Sequence, residues 1–215
     1  MVKAMVILAL TAGPLMASGG SSEPAAKAVG PTPEEQAIGH YNKGLEHRDK
    51  AWEHEEKAAE ASKEKDRDKR LKKARKEYEK AIGEQRTATA LNPQFHQAFS
   101  SLGYAYRKVG EYALALKAYD RALVLDPNYT EAIEYRAEAY LGLWRLDEVK
   151  AAYEKLFLRD PERAAQLLVA CVKWAAAPAE GVDGEALTAF KGWLAAKEET
   201  AREMSGVSGE GQQEW

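Results

Sequence analysis

Residues 96–129 read HQAFSSLGYAYRKVGEYALALKAYDRALVLDPNY, and this stretch decides the fold. Pro127, near its end, lies 34 residues after Pro93 and 34 residues before Pro161. Each of these prolines follows a polar residue that suits a helix end: Asn92, Asp126 and Asp160. A fixed period of 34 residues indicates a helix–turn–helix unit that stacks on copies of itself.

The composition favours helices and excludes several classes of function. Ala, Leu, Glu, Lys and Arg dominate the middle of the chain, and no alternating β-branched run predicts a strand. Lys plus Arg number 31 against 34 Asp plus Glu, so no net field favours nucleic acid. Phosphate-binding Gly-rich loops, metalloprotease His pairs and nucleophile elbows are missing from the sequence. We therefore predict a binding protein that is not an enzyme, with no cofactor and no nucleic-acid partner.

Within 96–129, the aromatic and small residues resemble one tetratricopeptide repeat. The matching positions in the first and second helices are Phe99, Leu102, Gly103, Tyr106, Ala115, Tyr119, Ala122 and Pro127. Gly103 and Ala115 are small where two helices cross closely, and Gly110 supplies the turn between them. The resemblance implies an all-α fold, with helical hairpins stacked as a short right-handed solenoid behind a C-terminal capping helix.

Residues 130–163 resemble a second repeat, with a turn at 142–147. The matching positions are Ile133, Ala137, Tyr140, Tyr153 and Pro161, whereas Arg136 and Val149 depart from the pattern.

Residues 37–95 are predicted to form an extended helical hairpin, a divergent first repeat with both helices lengthened. The 3-4-3-4-3 spacing of one predicted seam runs through Leu71, Ala74, Tyr78, Ala81, Gln85 and Ala88. A seven-residue stripe opposite it is predicted from Ile38, Leu45, Trp52 and Ala59. The turn is expected between residues 62 and 68.

The two ends of the chain differ in composition from the repeats. Residues 1–19 combine a positive residue, Lys3, with a short apolar run and small residues, which predicts a signal peptide. An uncleaved anchor and a buried helix are the alternatives. Residues 20–36 are expected to be a flexible linker, 164–204 capping helices, and 205–215 a disordered tail that ends in Trp215. The predicted location is outside the cytoplasm, either periplasmic or secreted, in a bacterial envelope.

Three local clusters have both a chemical and a structural interpretation. His40, His47 and His54 lie seven residues apart, about 10 Å along a helix, which is too far apart to share one metal ion. The basic stretch Arg67–Lys76 is interpreted as a solvated helix face, with weak contact to a membrane surface or to an acidic partner as the alternatives. Cys171 lies on an apolar helical stripe and is predicted to be a buried, structural thiol.

The tetratricopeptide resemblance also implies a binding site, since the first helix of each repeat lines a groove. The positions carried over to this chain are Gln97, Ser100, Tyr104, Arg107, Lys108, Glu131, Glu134 and Glu138. They would make one side of the groove basic and aromatic and the other side acidic, ready to pair with a segment of another protein. Self-association of the long hairpin into a homodimer is the alternative function.

Overall fold

The computed structural model describes residues 30–177 and 182–210, with side chains through Glu203. All regular secondary structure in these ranges is α-helical, which confirms the predicted fold class. The helices are α1 (Pro33–Ala59), α2 (Glu64–Leu91), α3 (His96–Lys108), α4 (Tyr112–Leu125), α5 (Thr130–Gly142), α6 (Leu146–Arg159), α7 (Pro161–Ala176) and α8 (Gly184–Glu210).

The helices pack as stacked hairpins. Each helix contacts the next one along the chain, from α1 to α8. In addition, α1 contacts α3, α3 contacts α5, and α5 contacts α7, so the odd-numbered helices adjoin one another. This arrangement is a short helical solenoid in which α1, α3, α5 and α7 share one face.

Helix α1 begins inside the segment that the sequence assigned to a linker. The Thr32 hydroxyl accepts a hydrogen bond from the Glu35 amide at 3.2 Å, and the Glu35 carboxylate accepts one from the Thr32 amide at 2.8 Å. This reciprocal capping box, with Pro33 in the first turn, fixes the start of the helix. The prediction of a flexible linker over residues 20–36 is therefore wrong from Pro33 onward, since α1 begins there.

The hairpin of α1 and α2 closes on a seam of small residues. On α2, the predicted seam is buried from Ala74 to Ala88, whereas Leu71 is 45% exposed. On α1, the stripe prediction is wrong by one residue, since the buried positions are Ala37, Gly44, Ala51 and Ala58. A side chain at Gly44 would overlap the Gln85 carboxamide, whose Nε2 donates to the Tyr41 carbonyl at 3.1 Å. The helices approach too closely for Leu45 or Trp52 to lie between them.

The turn of this hairpin is shorter and earlier than expected. It occupies residues 60–63, because α2 begins at Glu64 rather than after Asp68. The later turns keep the 34-residue period: Gly110 has φ 84°, and Trp144, 34 residues further on, has φ 58°.

Replacing Trp144 by glycine is expected to raise the free energy of unfolding by about 0.5–1 kcal/mol. A left-handed conformation costs a non-glycine residue about 1–2 kcal/mol, and the greater freedom of the unfolded glycine chain offsets part of that gain. Urea denaturation followed by circular dichroism measures the difference. Leu143→Gly is the matched control, because Leu143 has φ −109° and should lose stability. Equal losses in both variants would contradict strain at Trp144.

The C-terminal helices cover the last hairpin. Phe190 and Leu194 of α8 are buried in the same cluster as Leu156 and Leu167. Cys171 also lies in this cluster, fully buried, and burial raises the pKa of its thiol to about 12. The prediction of a structural thiol is confirmed.

Helix α8 continues to Glu210, so the tail predicted as disordered from residue 205 is helical for six of its residues. Trp215 lies outside the described residues.

Candidate functional site

The face shared by the odd-numbered helices carries a row of three aromatic side chains, one from each of three helices. Trp52 comes from α1, Tyr104 from α3 and Tyr135 from α5. The centroids of the Trp52 and Tyr104 rings are 6.0 Å apart, and those of Tyr104 and Tyr135 are 5.1 Å apart. The Trp52 indole Nε1 also donates a hydrogen bond to the Tyr104 hydroxyl at 2.6 Å. We call this surface, with the charged groups around it, the groove face.

Arginine side chains lie against these rings. The guanidinium carbon of Arg48 is 4.3 Å from the centroid of the Trp52 ring. Arg107 lies 5.1 Å from the Tyr104 centroid and 5.4 Å from the Tyr135 centroid. Arg163 of α7 approaches the other side of Tyr135 at 5.9 Å. These distances are within the range of cation–π attraction, which holds the aromatic and guanidinium groups in one arrangement.

The charges of the groove face are already paired within the chain. Arg107 bonds to Glu138, and Arg163 bonds to Glu134 and, at 3.3 Å, to Glu131. Lys108 bonds to Glu55 of α1 at 2.8 Å. The basic residues lie on α3 and the acidic ones on α5, as expected from the sequence, but their charges are paired within the chain instead of open to a partner. Stacking of the helices brings Arg107, Lys108 and Arg163 each to an acid of a neighbouring helix.

Two of the predicted groove residues do not reach the surface. Ser100 is 1% exposed and Glu134 is 4% exposed. Contact of α3 with both α1 and α5 covers part of its face, and Arg163 of α7 bonds to Glu134. Gln97 is half-buried on α3.

Burial shifts the protonation equilibria of this face. It raises the pKa of the Glu134 carboxyl, although the Arg163 guanidinium pulls in the opposite direction. It also raises the pKa of the Tyr135 phenol to about 12. For Arg107, burial acts to lower the pKa, but the Glu138 carboxylate together with Tyr119 and Tyr104 outweighs it, and the pKa is raised. At neutral pH, Tyr135 is therefore a neutral donor and Arg107 a fixed cation.

The residues of this site that the sequence did not predict are Trp52, Tyr135, Arg48, Arg163 and Glu55. Trp52 was assigned to the hairpin seam because of its size and spacing. Arg163 was assigned to the end of a repeat, although the proline period places a new helix start at Pro161. Extending the 34-residue period by one more helix would have placed Arg163 beside α5.

The histidine stripe lies along the flank of the hairpin. His40 Nδ1 is 2.7 Å from the Glu84 carboxylate, and His47 Nδ1 is 2.7 Å from that of Glu77. The Nδ1 atom of His54 is buried without a hydrogen-bond partner among the described residues. Within residues 30–177 and 182–203, no group of three or more His, Cys, Asp or Glu could hold a metal ion.

A search for membrane spans in the described part of the chain finds no helix with the length and apolar character to cross a bilayer.

Residues 96–129, the stretch with the repeat pattern, are similar to a known family. The tetratricopeptide repeat model matches residues 96–129. Superkiller protein 3 of Schizosaccharomyces pombe is 34% identical over 97 residues, which are 44% of this chain and 7% of that protein. The Hsp70-Hsp90 organizing protein of wheat, Triticum aestivum, is 32% identical over 84 residues, which are 39% of this chain and 14% of that protein. The chain thus spans less than a fifth of the length of either relative.

Solved structures give the same kind of match. The second tetratricopeptide domain of human RPAP3, in complex with an HSP70 peptide, is 23% identical with a TM-score of 0.49. The match covers 64% of this chain and 95% of that one. The tetratricopeptide domain of Arabidopsis OM64 is 17% identical with a TM-score of 0.48, covering 63% and 93% of the two chains. The tetratricopeptide resemblance is therefore supported by the family model at residues 96–129, the stretch that the sequence singled out.

Proposed function

We propose that this protein is a non-catalytic adaptor that binds a segment of another protein on its groove face. The observation that carries the proposal is the row of Trp52, Tyr104 and Tyr135, drawn from three helices and flanked by Arg48 and Arg107. Trp52 is 38% exposed, so part of its ring is open to a partner. Trp, Tyr and Arg are the residue types that contribute most to the free energy of binding at protein interfaces.

The geometry of the face lowers the entropic cost of binding. Hydrogen bonding of Trp52 to Tyr104, and ion pairing of Arg107 and Arg163 with α5 carboxylates, restrict their rotamers before a partner arrives. Each side chain that is already ordered saves about 0.5–1.5 kcal/mol on association. Because the charges are paired, aromatic contact and hydrogen bonding, rather than net charge, would select the partner.

The relatives support an interaction role. The wheat relative is named for organising two other proteins, Hsp70 and Hsp90, and its similarity covers 39% of this chain. Because this match spans only 14% of that relative, we do not extend those partners to this chain.

The test is crosslinking capture from the native source, with residues 31–215 as bait. Trp52→Ala combined with Tyr135→Ala removes two rings of the row without breaking an ion pair. Leu158→Ala is the matched control, because Leu158 is an apolar side chain, 84% exposed, on α6 and outside the groove face. We expect a specific protein to be captured by the wild type and the control and lost by the double variant. Equal capture by all three forms would refute binding on the groove face. Reversing a charge of the face by Glu134→Lys would not test binding, because Glu134 is 4% exposed and the substitution would place a buried ammonium beside the Arg163 guanidinium.

The location of the protein remains a sequence-based proposal. We propose an exported protein of a bacterial envelope on the strength of residues 1–19, which lie outside the described residues together with most of the predicted linker. The two curated relatives are from a yeast and a plant and lend this location no support. Weak contact of Arg67–Lys76 with a membrane surface likewise stays a prediction.

Self-association through the hairpin is the alternative function. Tyr78, at 1% exposed, offers a second copy almost no apolar surface, whereas Trp52 and Leu71 are exposed. A stable dimer in solution that dissociates on Leu71→Ser substitution would favour this alternative over an adaptor.

A further inference from the structure

A cleft of about 300 Å³ opens where the hairpin extends beyond the end of α3. It is distinct from the aromatic row, and we call it the hairpin notch. Its principal lining residues are Glu55 of α1, Leu71, Lys72, Arg75 and Tyr78 of α2, and Lys108 of α3.

The notch exists because the first repeat is longer than the second. Helix α3 ends at Lys108 and the chain turns at Gly110, while α2 reaches back beyond Ala74, which packs against Val109, to its start at Glu64. Tyr78 and Ala74 are covered there by Val109, with which they form a buried cluster. One turn earlier on α2, Leu71 is 45% exposed. The seam thus ends in an apolar side chain that the protein leaves uncovered.

The floor of the notch contains the hydroxyl group of Tyr78, which lacks a hydrogen-bond partner among the described residues. The residue is 1% exposed, and its hydroxyl lies near Glu55 and Tyr104 without a hydrogen bond of normal geometry to any described residue. Burial raises the pKa of this phenol, so it is a neutral O–H donor at physiological pH. Buried hydroxyl groups are normally hydrogen-bonded, so an unsatisfied one in a cleft indicates a place for an acceptor.

Cations predominate around the rim. Lys108 bonds to Glu55 at 2.8 Å, and its ammonium lies 5.4 Å from the Tyr78 ring. Arg75 reaches Glu79 at 3.2 Å along an exposed helix face, a weak pairing in water. Lys72 forms no ion pair in the part of the chain that the structure describes. An anionic group beside Leu71 would therefore meet two available cations.

We propose that the hairpin notch is a second docking site, which binds a short segment of a partner protein that presents an apolar side chain next to a carboxylate. The apolar side chain covers Leu71, the carboxylate meets Lys72 and Arg75, and the Tyr78 hydroxyl donates to an oxygen of the segment. The proposal rests on the proposed function in one respect, that the protein binds other proteins. It requires none of the aromatic rings of the groove face, although the notch shares the Lys108–Glu55 ion pair with that face.

The experiment is selection of a random peptide library displayed on phage, using residues 31–215 as the target. Selected peptides are synthesised and their dissociation constants measured against four forms: wild type, Lys72→Glu, Tyr78→Phe and the groove variant Trp52→Ala/Tyr135→Ala. We expect enrichment of peptides that combine Asp or Glu with Leu, Ile or Phe. Lys72→Glu should weaken their binding at least tenfold, since a charge-assisted contact becomes a repulsion.

Tyr78→Phe separates docking from folding. It removes a hydroxyl that has no regular hydrogen bond, so the free energy of unfolding should not fall, while peptide binding weakens about fivefold. The groove variant should bind the peptides as the wild type does. Peptides that lack acidic residues, peptides that bind Lys72→Glu equally well, or no enrichment at all would each overturn the proposal. Peptides whose binding is lost only in the groove variant would support binding on the groove face and would reject the notch.

Discussion

Replacing Gly103 by alanine is expected to lower the free energy of unfolding by about 2 kcal/mol. A Cβ atom at this position would lie 2.7–2.9 Å from three atoms of the Tyr119 ring, inside van der Waals contact. Tyr119 is completely buried among Ala115, Ala122 and Ala132, so its ring has no open space to move into. Overpacking of this kind costs about 1–3 kcal/mol. Urea denaturation followed by far-ultraviolet circular dichroism measures the loss.

Gly83→Ala is the matched control, because it makes the same change within a helix where no atom lies within 4 Å of the new Cβ. Alanine is favoured over glycine in a helix by about 1 kcal/mol, so this variant should be more stable than the wild type. We therefore expect the free energy of unfolding to fall in Gly103→Ala and to rise in Gly83→Ala. A gain of stability in both would show that α3 and α4 do not cross as closely as the structure places them.

The helical fold was predictable because it repeats. The prolines spaced by 34 residues mark successive helix ends, and Gly103, Ala115 and Tyr119 encode one close crossing between them. The register of the first hairpin was not predictable in the same way. Large side chains recur every seven residues at Ile38, Leu45 and Trp52, and small ones recur one position earlier. Both patterns fit a helix, and only the distance between α1 and α2 selects the small residues for the seam.

The sequence predicted one ring of the aromatic row, Tyr104, and its neighbour Arg107, but not the other two rings or the pairing of the charges. The tetratricopeptide resemblance correctly places Tyr104 and Arg107 on a helix that belongs to this face. The ion pairs depend on which helices become neighbours: Arg107 and Glu138 are separated by 31 residues, and Arg163 and Glu134 by 29. The spacing of residues within one helix does not show which side chains of the next hairpin they will meet. The pairing of these charges could therefore be read only from the folded structure.

Replacing Arg163 by methionine is expected to lower the free energy of unfolding by about 2–3 kcal/mol at pH 7. Glu134 is 4% exposed and Arg163 supplies its hydrogen bond, so the substitution leaves a buried carboxylate without a counterion. A buried charge that loses its partner costs about this much, reduced here because Arg163 itself is a quarter exposed. Thermal and urea unfolding of the two proteins measures the difference.

The pH dependence and a second substitution identify the cause. In the wild type, burial already raises the pKa of Glu134, and loss of the Arg163 guanidinium should raise it further. A carboxyl whose folded pKa exceeds its unfolded value contributes stability below the unfolded value and loses it as the pH rises through the folded value. The deficit of Arg163→Met should therefore shrink as the pH falls from 7 toward 5. Adding Glu134→Gln removes the charge and should restore most of the loss at pH 7. A deficit that stays constant with pH and is not rescued by Glu134→Gln would instead attribute the effect of Arg163 to its contacts with Tyr135 and Glu131.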